Sequence, residues 1–111
     1  MDIAVEEREN TVILTVTGNI TMQTSPNLHK ALTRALGNGA KSVLVDLAKV
    51  KYTDSSGVGV LVSAMKIARE KHASLALVNL AERVTAVFEL TGLLALFKVF
   101  DDMPAAIEAL G

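Results

Sequence analysis

The sequence predicts a single α/β domain over residues 1–111. Its expected architecture is a mixed, mostly parallel β-sheet with helices packed mainly on one face, in the order ββαβαβαβα. Three observations carry that expectation. Short apolar runs rich in β-branched residues alternate with segments whose apolar positions recur at helical spacing. The runs in the middle of the chain are apolar on both faces, as buried parallel strands must be. A length of 111 residues with 50% hydrophobic side chains suits one core and leaves little room for two.

Ile3 and Val5 alternate with polar neighbours, and Val12, Leu14 and Val16 do so again after the polar pair Glu9-Asn10, so the chain opens as two strands, read as a hairpin. Gly18 ends the second strand. Thr24-Ser25-Pro26 then offers a hydroxyl cap with Pro early in a helix, and Leu28, Ala31, Leu32, Ala35 and Leu36 form its apolar stripe until Gly37-Asn38-Gly39 stops it. Ser42 to Leu47 reads as a central strand, and helical spacing resumes from Ser55 to about Lys71. Leu75 to Leu80 is a second buried strand. Glu82 to Thr91 is a helix with Val84, Val87 and Phe88 on its apolar side and Gly92 as its stop. Leu96 to Phe100 reads as the last strand, and Pro104 opens a short helix through Ile107 and Leu110.

Composition removes several function classes. Eleven basic against twelve acidic residues, a net charge of -1, and 4% aromatics argue against phosphate-backbone or base-stacking contacts, so no nucleic acid is expected. The absence of cysteine removes disulfides, thiolate catalysis and cysteine-based metal sites. The only histidines, His29 and His72, lie in polar helical surroundings and are read as exposed. Neither they nor Glu6-Glu7 and Asp101-Asp102 show metal-ligand spacing, so no metal and no cofactor is expected. Ser55 lacks the G-x-S-x-G frame of a hydrolase, Gly57-Val-Gly59 lacks the third glycine of a dinucleotide loop, and no Walker lysine is present. An enzyme is not expected. Met22, Met65 and Met103 read as core or cap fillers. The acidic start MDIAVEEREN is unlike a secretion signal. The greasiest windows, Val58 to Met65 and Gly92 to Phe97, are far shorter than the roughly 20 residues needed to span a bilayer, so a cytoplasmic protein without direct membrane insertion is expected. A mean hydropathy of +0.40 is high for so small a chain and suggests apolar surface reserved for a partner.

The chemically informative stretch is Thr53-Asp54-Ser55-Ser56-Gly57-Val58-Gly59. Asp54 stands where an N-cap belongs, its carboxylate able to accept from the N–H of Ser56 or Gly57, so the helix begins at Ser55. At 100° per residue, Gly57, Val58, Leu61, Ala64, Met65 and Ala68 fall on one side, the buried one. Ser55, Ser56, Gly59, Val62, Ser63, Lys66 and Glu70 fall on the other. That outer side is small near its start and suits close approach by another protein. A D-S-S-G at a strand-to-helix turn is often nothing more than a cap. Two adjacent hydroxyls beside two glycines exceed what a cap needs, and a helix N-terminus tolerates a phosphate, whether bound or attached to Ser55.

The run VLVDLAKVKYTDSSGVGVLV, residues 43–62, resembles the signature of STAS domains, specifically the free-standing bacterial anti-sigma factor antagonists. Leu14-Thr-Val-Thr-Gly18 resembles the family's strand-ending glycine segment, and residues 87–100 resemble its helix-Gly-Leu-strand ending. The resemblance implies a STAS-type fold and a switch. Ser55, with Ser56 as second choice and Thr53 third, would be phosphorylated by a partner that is both anti-sigma factor and ATP-dependent serine kinase. A serine phosphatase would restore binding, and the unmodified protein would hold the kinase and release a sigma factor. The expected partner surface comprises Thr21, Asp54, Ser55, Ser56, Gly57, Gly59, Val62, Ser63 and Lys66, together with the Gly18 to Ser25 loop. Two residues depart from the family pattern: Thr21 stands where an Asp is common, and Thr53 replaces the apolar residue usual before the Asp. The Thr21 departure supports an alternative, a STAS scaffold or adaptor in a signalling or transport complex that binds without phosphorylation.

Overall fold

The computed structural model describes residues 1–110, and Gly111, the last residue of the expected domain, lies outside them. Strands β1 (Asp2–Arg8) and β2 (Thr11–Thr17) form an antiparallel hairpin whose turn places Glu9 at φ 53°. Helix α1 (Ser25–Gly37) leads to β3 (Ser42–Lys49), α2 (Ser55–Glu70) to β4 (Ser74–Val78), and α3 (Glu82–Leu90) to β5 (Lys98–Phe100). Helix α4 (Met103–Leu110) closes the described chain. The five strands lie in sequence order, β2 to β5 all parallel. Adding parallel strands always on the same side, with right-handed crossovers, sends every crossover helix to one face. Helices α1, α2 and α3 therefore share that face, and α4, which crosses no strand, is free to cover the other.

The core follows this division. Leu14, Val16, Val43, Val45, Leu47 and Leu77 point from the sheet toward α1, α2 and α3 and meet Leu28, Leu32, Leu61, Ala64, Val84 and Phe88. The alternate residues Ile13, Leu44, Ala76 and Val78 point the other way and pack under Ala106, with Met103, Ile107 and Leu110 around them. Burial on both faces explains why β3 and β4 read as largely apolar runs, broken in β3 by Asp46. The Phe88 and Phe97 rings meet edge to face, 5.4 Å between centroids at 88°, and fix the end of α3 against the segment entering β5.

Several boundaries differ from those the sequence suggests. Strand β3 runs two residues past Leu47, and β4 starts at Ser74 and ends at Val78 rather than Leu80, because Asn79 turns into the left-handed region at φ 60°. Leu96 is not in the last strand. It closes a short 3-10 turn over Leu94–Leu96, with Leu96 N–H donating to Leu93 and Phe97 N–H to Leu94, so only three residues remain for β5. The Thr24 hydroxyl does not cap α1. It accepts from Thr21 N–H at 2.8 Å and donates to Asn19 C=O at 3.0 Å, tying the preceding loop together. Met22 is no filler: it is 77% exposed.

Candidate functional site

Beyond the ends of β2 and β3 the two following loops continue to pair. Gly18 N–H donates to Lys49 C=O, Ile20 N–H to Tyr52 C=O and Asp54 N–H to Ile20 C=O, at 3.0–3.2 Å, and Ile20 and Thr53 form a parallel bridge. Gly18 makes the departure from β2 possible at φ 106°. This zipper fixes Asp54 at the head of α2. Asp54 takes extended backbone angles, its carboxylate accepts from Ser56 N–H at 2.9 Å and from the Ser56 hydroxyl, and its other oxygen accepts from Met22 N–H at 3.1 Å. The sequence anticipated the cap on Ser56. The Met22 bond joins residues 32 positions apart, and local spacing could not reveal it.

The Asp54 carboxyl is held below the usual carboxylate range, chiefly by the Ser56 hydroxyl and further by the N–H groups of Ser56, Met22 and Gly57, against a contrary push from desolvation. Its charge is thus shared among several donors at the positive end of α2. The three hydroxyls of the loop differ sharply. Thr53 is 1% exposed and donates to Asp54 C=O at 3.0 Å, so it is not an accessible acceptor. The Ser56 hydroxyl is half-buried and engaged by Asp54. Ser55 is exposed, and among the described residues its hydroxyl has no hydrogen-bond partner.

Gly57, expected on the partner surface, is buried instead. A Cβ there would collide with the Thr53 hydroxyl and come within 2.7 Å of Ile20 Cγ2, so glycine is needed for the loop zipper to lie on the helix. The helical spacing put Gly57 among the inward residues, and all six inward positions of α2 are indeed buried. Of the outward set, Ser55, Gly59 and Lys66 are exposed, while Val62 and Ser63 are half-buried. From Ser55 to Lys66 this face is about 16 Å long. Thr21 sits half-buried in the adjoining loop. Its hydroxyl accepts from Gln23 N–H at 3.3 Å and lies 3.4 Å from the Thr24 hydroxyl, which turns it into its own loop.

Two more residues join the site: Met22, read from the sequence as a filler although it lies in the expected Gly18 to Ser25 loop, and Tyr52, which the sequence reading did not single out. Met22 projects beside Asp54, and Tyr52 is 37% exposed with the Arg83 guanidinium 5.5 Å from its ring centroid, which brings the first turn of α3 to the same loop. Exposed aromatic and Met side chains flanking a small-residue helix face are typical of protein contact surfaces. Both histidines are exposed, and among the described residues no three His, Cys, Asp or Glu side chains gather as metal ligands. No described helix is long and apolar enough to cross a membrane.

The mixed sheet thus carries at one end a loop pair that holds a capped helix, an exposed serine and a face of small residues beside it. The STAS domain model matches residues 2–106, and the chain belongs to that family. The anti-sigma-B factor antagonist of Bacillus subtilis is 33% identical over 93 residues, 84% of each chain. An anti-sigma factor antagonist from Mycobacterium paratuberculosis superposes with a TM-score of 0.89 at 22% identity, covering 98% of this chain and 92% of that one. Bacillus SpoIIAA in its phosphorylated form superposes with a TM-score of 0.76 at 20% identity, covering 97% and 98%. These last two likenesses concern the fold alone.

Proposed function

We propose that the protein is an anti-sigma factor antagonist whose docking to an anti-sigma factor is switched off by phosphorylation of Ser55. The observation that carries this reading is the contrast among the three loop hydroxyls: that of Ser55 is exposed and, among the described residues, unbonded, while those of Thr53 and Ser56 are engaged. The names of the relatives supply the class of partner. In the unmodified state the partner lies along Ser55, Gly59, Val62, Ser63 and Lys66 and reaches the Thr21 loop. The anti-sigma factor is also an ATP-dependent kinase. It transfers the γ-phosphoryl group of ATP to Ser55 Oγ, the hydroxyl proton passes to a kinase base, and ADP leaves. A serine phosphatase hydrolyses the phosphoester and restores the hydroxyl.

The charge arithmetic suits a switch rather than an unfolding event. Phosphate adds about -1.5 to -2 at neutral pH, next to a helix N-terminus that favours negative charge. Asp54, already met by several donors, keeps its cap. The cost falls on the complex, where a close-packed face must now admit bulk and charge. The test is partner affinity across Ser55→Ala, Ser55→Asp and the wild type. Ser55→Ala should bind like the unmodified protein. Ser55→Asp should lose at least tenfold, about 1.4 kcal/mol. Equal affinities would overturn the switch and leave constitutive scaffolding.

A further inference from the structure

The hairpin leaves β1 as a full-length sheet edge. It pairs with β2 along all seven residues and, among the described residues, with nothing on its outer side, whereas the opposite edge, β5, has only three. Its helix-side residues are covered only in part. Helix α1 lies over β2 and β3, so Ile3 and Val5 border an open groove against Val12, Ala31, Lys30 and Arg34, and Val5 is 57% exposed. A long edge with an exposed β-branched residue at its centre is a template for another strand.

The order of charges along β1 says which strand. A two-fold axis perpendicular to the sheet keeps its faces, so self-pairing must set odd residues opposite odd and even opposite even. One antiparallel register pairs the whole strand: Val5 meets Val5, Ala4 meets Glu6, Ile3 meets Glu7, and Asp2 meets Arg8 at both ends. Among directly opposite residues it contains two opposite-charge pairs and no like-charge pair, and Arg8, which in the single chain pairs with Glu6 of its own strand, then lies between that Glu6 and the second copy's Asp2. Sliding one way sets Asp2 against Glu6, and sliding the other sets Glu6 against Glu6. Both slipped registers are penalised by repulsion.

We propose that a second copy of this chain docks on the β1 edge, joining two five-stranded sheets into one ten-stranded sheet with Val5 on the two-fold axis. The two grooves then meet across the axis, and each Val5 loses its solvent exposure against the other. Helix α2 packs on α1, β4 and α3, so its outward Ser55 face lies away from the β1 edge. The inference therefore does not depend on the Ser55 switch.

The test uses the full chain, which has no native cysteine. Sedimentation from micromolar to millimolar concentration should show a shift from the mass of one chain to that of two. Val5→Lys, which opposes like charges on the axis, should abolish it. Single cysteines at positions 3, 5 and 7 then read the register under mild oxidation. Val5→Cys places two thiols on directly opposite residues, about 4.5–5.5 Å apart at Cα, within disulfide reach. Ile3→Cys and Glu7→Cys set theirs four residues out of step, about 13 Å along the strand. Cross-linking at position 5 should be at least tenfold faster than at 3 or 7. A one-chain mass at every concentration, or a dimer cross-linking equally well at all three positions, would overturn the proposal.

Discussion

Asp54 holds the site together through contacts of three kinds: a cap on α2, a side-chain bond to Ser56, and a tie across to Met22. Because its folded pKa is lowered, the native state takes up the proton less readily than the unfolded chain. The stabilisation is full above the unfolded value of about 4 and drains away as pH falls through the folded pKa. Asp54→Asn retains an acceptor but no charge. Urea unfolding at neutral and acid pH should show its stability falling less steeply with acid than that of the wild type, and parallel curves would contradict the account. Asp54→Ala, which removes the cap outright, should cost about 1 kcal/mol at neutral pH. At Gly57 the constraint is steric. Gly57→Ala drives a methyl group into Thr53 and Ile20 and should cost about 1–3 kcal/mol by denaturant titration. Ser55→Ala and Ser55→Asp, by contrast, alter an exposed, unbonded hydroxyl and should stay within about 0.5 kcal/mol of the wild type. The cap was legible from D-S-S-G alone. The need for Gly57 was not, because Thr53 and Ile20 meet it only after the loops pair.

Among the elements, α2 was the most legible: its start at Ser55 and its six buried positions follow from one capping residue and a 3.6-residue period. Strands β3 and β4 were recognisable because burial on both faces leaves them largely apolar, Asp46 excepted, and their ends were less so because the chain turns on single residues such as Asn79. The segment after Gly92 misled for a related reason. Leu93 to Phe97 is as apolar as a strand, yet two short-range backbone bonds wind it into a 3-10 turn that carries Phe97 onto Phe88. That aromatic contact anchors α3 and, through Arg83 at its first turn, the Tyr52 side of the loop. Phe88 is fully buried, so Phe88→Ala should cost about 3–5 kcal/mol by urea unfolding. A loss below 1 kcal/mol would show that α3 is held elsewhere.

At the scale of the whole molecule, sequential strand order explains why three helices share one face, and why the loops at the strand C-termini converge on the head of α2. Element order made that architecture predictable from sequence. The opposite layer, in which α4 covers Ile13, Leu44, Ala76 and Val78, was implied only by the two-sided apolarity of the strands. The Gly18 to Ser25 loop was expected at the site, but the exposure of Met22 within it and the Tyr52 flank were not legible, since neither residue type nor spacing marks an exposed side chain brought beside a loop from elsewhere in the chain. Among the described residues, the loop at this capped helix end holds one free hydroxyl, that of Ser55, and the central claim is that this hydroxyl is the switch. Phosphopeptide mapping of protein recovered from its native cells tests it most directly, on the tryptic fragment that begins at Tyr52. The account predicts phosphate on Ser55, rising and falling with growth conditions. A fragment that stays unmodified in every condition, or that carries its phosphate on Ser56, would contradict it.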